Sequence, residues 1–146
     1  MKITQEADYA LRITSVLAQS TKPAGAPAIA EAVAVPHRFA MKILRKLTLK
    51  GIVKSTRGVA GGYSLAVAAK ELSLKAVIEA IDGKIAIRHC LCDDHNCANS
   101  PDKSKCRFHN VFAYINSLIT IRLEALSIAD MTNEAISTEQ LIEKLK

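Results

Sequence analysis

The chain has 146 residues, 49% of them hydrophobic, with no Trp and only three Phe and three Tyr, which is enough for one aliphatic, largely helical core. Net charge is +6, and the excess lies wholly in the first half: residues 1–62 carry ten Lys/Arg against three Asp/Glu, residues 63–146 ten against eleven. The basic half calls for a polyanion, whereas the absence of a bilayer-length run, a signal-like segment or a long basic amphipathic helix argues against a membrane and for the cytoplasm.

In chain order, residues 4–19 place Ala7, Ala10, Leu11, Thr14, Leu17 and Ala18 on one face at helical period, behind a capping start at Thr4. TKPAGAP at 21–27 reads as a turn, and 28–34 as a short helix broken at Val35-Pro36. A third helix opens on Pro36 and stops at Gly51. Phe39, Ala40, Ile43, Leu44 and Leu47 form its inner stripe, which leaves His37, Arg38, Met41, Lys42, Arg45 and Lys46 outside. Two helices across a tight turn, the second basic on its outer face, make a helix-turn-helix suited to the major groove. A basic face is often merely solvated, so the next segment matters. Residues 52–56 and 63–67 are β-prone and flank RGVAGG, a glycine-rich hairpin with Arg57 at its base. That is the layout of a wing, whose glycines allow close backbone approach and whose Arg suits a narrow minor groove.

Residues 71–81 give a further helix started by Ser73 and ended by Asp82-Gly83. Residues 107–126 are the longest helical pattern, with Phe108, Val111, Phe112, Ile115, Leu118, Ile119, Leu123 and Leu126 on one stripe and Tyr114 and Ile121 off it. One small head cannot cover two apolar faces, so this helix reads as a dimerisation element, followed by a turn and a capped tail helix from Ser137.

Between these helices lie all four cysteines: Cys90, Cys92, Cys97 and Cys106, spaced C-x-C-x4-C-x8-C, with His89, His95 and His109 among them. The surrounding turn formers cannot bury a core, so the loop needs an internal tie. The spacing suits paired zinc knuckles poorly. Thiolates with a histidine also suit an iron-sulfur cluster, and a metal-free thiol switch is the third tie. No Ser/His/Asp set, Walker loop or paired-carboxylate cleft stands in the sequence, and C-x-C without a βαβ pattern argues against a small redox enzyme or electron carrier. The reading is therefore of a protein that is not an enzyme.

The run IAEAVAVPHRFAMKILRKLTLKGIVKSTRGVAGGYSLA, with MKITQEADYALRI before it, AIDG after it and a cysteine loop leading into a long helix, resembles the IscR/NsrR-type regulators of the Rrf2 superfamily, of which CymR is a cluster-free relative. The likeness covers about residues 1–130. It implies a homodimer on a palindromic double-stranded DNA operator, with the long helices crossed between subunits. Carried over residue by residue, it makes Cys90, Cys97, Cys106 and His109 the ligands of a 2Fe-2S cluster. Cys92 competes for the first position. In NsrR-like members an acid of the partner's first helix is the fourth ligand, and Asp8 stands there. The long Cys97 to Cys106 spacing departs from the family and keeps a 4Fe-4S cluster as the alternative. For DNA, the likeness points to His37, Arg38, Met41 and Lys42 on the recognition helix and Arg57, Gly58 and Tyr63 in or beside the wing.

The expected architecture is mainly α with a small β-hairpin wing: a winged helix-turn-helix DNA-binding domain over 1–82, a cysteine-rich cluster loop over 83–106, and a dimerisation helix with C-terminal tail over 107–146. The expected function is a homodimeric transcriptional regulator sensing redox state, iron or nitric oxide. A cluster-free thiol/disulfide switch is the rival.

Overall fold

Thr4 ends the extended N-terminal segment by accepting the amide of Ala7 on its hydroxyl oxygen, 3.2 Å, and helix α1 (Gln5–Gln19) follows in the computed structural model, which describes residues 3–92, 97 and 102–146. His95 and the turn formers Asp93, Asp94, Asn96, Asn99 and Pro101 lie outside the described residues. Ala7, Ala10, Ile13, Thr14 and Leu17 form the buried face of α1; Leu11 and Ala18, expected there, are only half-buried, and Ile13 belongs instead. The Thr14 hydroxyl donates to the carbonyls of Ala10 (2.9 Å) and Leu11 (3.0 Å), so the one polar group on this face costs no lost hydrogen bond.

Helix α2 (Ala26–Ala32) begins two residues before the expected start, because Pro27 sits in its first turn, where a missing N–H is harmless. Pro36 caps α3 (His37–Leu49) rather than opening it. Between them Ala34 adopts φ +53°, a left-handed conformation that side chains with a Cβ resist, while Val35 N–H reaches Ala30 O at 3.0 Å to close the turn. Ala40, Ile43, Leu44 and Leu47 of α3 are buried, and Phe39 is half-buried under the Arg38 guanidinium. Strands β1 (Val53–Thr56) and β2 (Gly62–Leu65) pair antiparallel from Val53–Leu65 to Thr56–Gly62. Ala24 and Tyr63 exchange backbone hydrogen bonds of 2.9 and 2.8 Å, which fastens the hairpin to the turn before α2.

Helix α4 (Leu74–Asp82) is capped by Ser73, and Asp82 at its end takes the Thr4 amide (3.2 Å) and hydroxyl (2.5 Å), so the C-terminus of α4 holds the N-terminus of α1. After the loop, α5 (Arg107–Ala125) runs back to the head, where Leu74 N–H meets Leu126 O (2.9 Å) and Ile128 N–H meets Leu72 O (2.8 Å). Helix α6 (Ile128–Thr132), absent from the sequence expectation of a plain turn, packs on α1, and fully buried Ile128 joins the core of Ile13, Ile29, Ile43, Leu44, Leu47 and Val77. The tail helix α7 (Thr138–Glu143) starts with the expected Ser137 cap. Lys144 (2.5 Å), then the Ser127 amide and hydroxyl, pull the Asp130 carboxyl down to about 2. A lowered folded pKa lends stability at pH above the ordinary carboxylate range, and that stability fades as pH falls toward 2.

The architecture is therefore the expected one: mainly helical, with a two-stranded wing. Two outcomes test its packing. Ala34→Gly relieves the left-handed turn and should raise unfolding free energy by about 1 kcal/mol; a lower denaturant midpoint would contradict the strain. Ile128→Ala should cost about 2–5 kcal/mol in the same assay, the range for a collapsed core site, whereas a loss below about 0.5 kcal/mol would mean that α6 is peripheral.

Candidate nucleic-acid interface and cysteine loop

The inner stripe of α3 is committed to the core, so its outer face is exposed by necessity: His37, Arg38, Met41, Lys42 and Arg45 are exposed and Lys46 is half-buried. Lys42 and Lys46, one turn apart, both reach the carboxylate of Glu6 on α1, Lys46 at 2.6 Å. Hydrogen bonds from Lys42, then Lys46, hold the Glu6 carboxyl below its usual range. The sequence gives no periodic hint of this link, since it joins residues 36 and 40 positions apart.

The wing tip projects freely, with Arg57, Gly58, Val59 and Ala60 all exposed. At Gly62, φ is +151° and an added Cβ would lie 2.6 Å from Ala24 O; at Gly61 it would lie 2.2 Å from Thr56 O. Only glycine fits either position. Tyr63 is half-buried and packs against the core, so its backbone borders the wing while its ring supports it. Arg57 and Gly58 thus share a protruding tip, while His37, Arg38, Met41 and Lys42 share one helix face.

In the loop, Cys90 lies in a single helical turn, His89–Leu91, with Cys92 directly after it; Cys90, Cys92, Cys97 and Cys106 are all half-buried free thiols. Cys106 caps α5, its Sγ accepting the His109 amide at 3.5 Å. His109, one turn into α5, has its Nδ1 buried with no hydrogen-bond partner among the described residues. Asp8 is occupied on its own helix by Arg12, 2.7 Å away. Among the described residues no three His, Cys, Asp or Glu side chains gather at one metal-binding point. The donor types, soft thiolates and one imidazole nitrogen left unsatisfied, fit an iron-sulfur cluster.

A clamp absent from the sequence expectation fixes the first arm of this loop. Asn116 of α5 accepts the Ile87 amide on Oδ1 (3.0 Å) and donates from Nδ2 to Ile85 O (3.0 Å). Arg88 lies 5.1 Å from the Phe112 ring centroid, adding a cation–π contact. The one available signal was a carboxamide midway along the helix. The opposite face of α5 is bare: Phe108 is 70% exposed and Tyr114 66%, with Val111, Ile115, Leu118 and Ile121 exposed alongside.

A helix-turn-helix with a basic outer face and a glycine-tipped hairpin defines a winged-helix DNA-binding protein. The chain belongs to the Rrf2 family, whose sequence profile, described as an iron-dependent transcriptional regulator, matches residues 3–134. An rrf2-like HTH-type transcriptional regulator of Rhodobacter capsulatus is 32% identical over 148 residues, covering 97% of this chain and 99% of that one. Among solved structures, CymR, the global cysteine regulator of B. subtilis, superposes with a TM-score of 0.71 at 22% identity over 90% of this chain and 96% of its own. T. potens IscR also gives 0.71 at 22% over 92% and 88%. The protein is thus a DNA-binding transcriptional regulator and not an enzyme. No helix among the described residues is long and apolar enough to cross a membrane.

Asn116→Ala should remove both clamp bonds at a cost of about 1–3 kcal/mol. In amide exchange the Ile87 N–H should lose protection while those of α1 keep theirs; an Ile87 amide that stays protected would show that the arm is held by other means.

Proposed function

We propose that this regulator acts as a homodimer on a palindromic operator and that a 2Fe-2S cluster on Cys90, Cys97, Cys106 and His109 sets its state. On this reading residues 1–82 bind DNA, 83–106 form the sensing loop and 107–146 supply the dimerisation helix and tail. The outer face of α3 enters the major groove with His37, Arg38, Met41 and Lys42, while Arg57 and Gly58 follow the backbone into the adjoining minor groove and Tyr63 braces the wing. Phosphate contacts set affinity, and one or two side chains per half-site read bases.

The observation that carries the sensing half is the buried, unpartnered Nδ1 of His109 beside the Cys106 cap. A desolvated nitrogen with no partner costs about 1–3 kcal/mol, a cost that a bond to iron removes. Asp8 is already paired with Arg12, which supports His109 as fourth ligand. Cys92 is two positions from Cys90 and remains its competitor.

When bound, the cluster supplies a centre whose charge and ligation change on meeting an oxidant or nitric oxide. The chain does the rest. Drawing the thiols to His109 ties the second arm of the loop to the start of α5, whose middle already holds the first arm through Asn116. The far end of α5 is bonded to α4 through Leu74 and Leu126. Loop order can therefore reach the head along one helix. A hundredfold change in DNA affinity needs only about 2.7 kcal/mol of difference between the two states. A second copy would cover the apolar stripe of Phe108, Val111, Ile115 and Leu118, which a monomer leaves in water. The cluster-free switch, a disulfide from Cys90 or Cys92 to Cys97 or Cys106, finds support in four free, partly accessible thiols.

Protein purified and reconstituted without oxygen should show visible absorption with iron and sulfide at about two of each per chain. Cys106→Ala should lose both, and His109→Ala should bleach faster on exposure to air. An iron-free, colourless wild type would overturn the cluster and leave the thiol switch.

A further inference from the structure

Glu6 of α1 bridges two lysines of the basic face of α3. Lys42 and Lys46 are four residues apart on α3, so without a counter-ion they would repel one another and together offer a two-ammonium seat for an anion. Glu6, from the first turn of α1, supplies that counter-ion with one carboxylate oxygen on each ammonium. A carboxylate bridging two ammonium groups has the charge and acceptor geometry of a backbone phosphate bridging the same two groups.

We infer that Glu6 occupies the phosphate seat of Lys42 and Lys46 and thereby restrains sequence-independent DNA binding. Non-specific affinity comes almost wholly from neutralising phosphates, whereas base readout does not depend on that charge. With Glu6 in place, the three side chains present +1 rather than +2 to the duplex. A phosphate reaching Lys42 must displace a partner that is already held, and the displaced carboxylate then faces the DNA backbone. The pair is partly exposed, the Glu6 side chain being 30% accessible and that of Lys42 53%. Displacement is therefore affordable at a site where other contacts fix the register, and it is discouraged elsewhere. The inference rests on the reading that the outer face of α3 meets DNA.

The test uses the full chain and a mixed-sequence duplex of about 20 base pairs, with anisotropy measured across a salt series. Glu6→Gln and Glu6→Ala should each bind about fivefold more tightly than the wild type near 0.1 M salt, with a slope of log K against log salt steeper by about one. In a Lys42→Gln/Lys46→Gln background, removing Glu6 frees no ammonium and should leave the slope of log K against log salt unchanged. Equal or weaker binding by both Glu6 variants, with helicity retained and slopes parallel to wild type, would overturn the role of Glu6 while leaving the interface in place. If the double lysine variant binds as well as the wild type, the interface itself is elsewhere, and both readings fall.

Discussion

The head is built on one face of one helix. Ala7, Ala10, Ile13, Thr14 and Leu17 of α1 are all buried, and the small side chains among them let α3, α4 and α6 pack against the same helix. Because α3 spends Ala40, Ile43, Leu44 and Leu47 on this core, its remaining face has nowhere to go but outward. The basic surface is thus a consequence of burial, and the same packing brings Glu6 of α1 within reach of Lys42 and Lys46. The first helix in this way packs under α3 and also pairs with two of its lysines.

The second constraint is that α5 belongs to two places. At its start, Cys106 accepts the His109 amide; in its middle, Asn116 holds the arm that leads to Cys90; at its end, Leu126 and Ile128 are hydrogen-bonded to the head. No residue of α5 itself is buried, yet its two ends are tied. Such an element has one apolar face bare and hydrogen bonds at intervals to the first arm of the loop and to the head.

Much of this was legible in the sequence, because it is written in local periodicity and punctuation. Pro36, Gly51, Ser73, Gly83 and Ser137 mark helix ends by backbone chemistry that needs no tertiary context, and RGVAGG marks the wing. The failures share a cause. Ile13 in place of Leu11, the start of α2 at Ala26 and the existence of α6 all depend on which neighbours arrive, information that a window of ten residues does not contain. The Asn116 clamp, the Ala24–Tyr63 rung and the Glu6 bridge join positions about 30 to 40 apart. For the site, residue types narrow the donors to four cysteines and the histidines among them, and it is the family resemblance that implies Cys90, Cys97, Cys106 and His109. The unsatisfied His109 nitrogen became visible only when the fold surrounded it.

In the proposed assembly two chains meet along α5, each holding one cluster at the head of that helix. Native mass spectrometry of oxygen-free, reconstituted protein reads both at once. The expected result is a dimer whose mass exceeds that of two bare chains by two 2Fe-2S units, with loss of those units on substitution of Cys97. A bare monomer, or a dimer that carries no iron and sulfide after reconstitution, would contradict it.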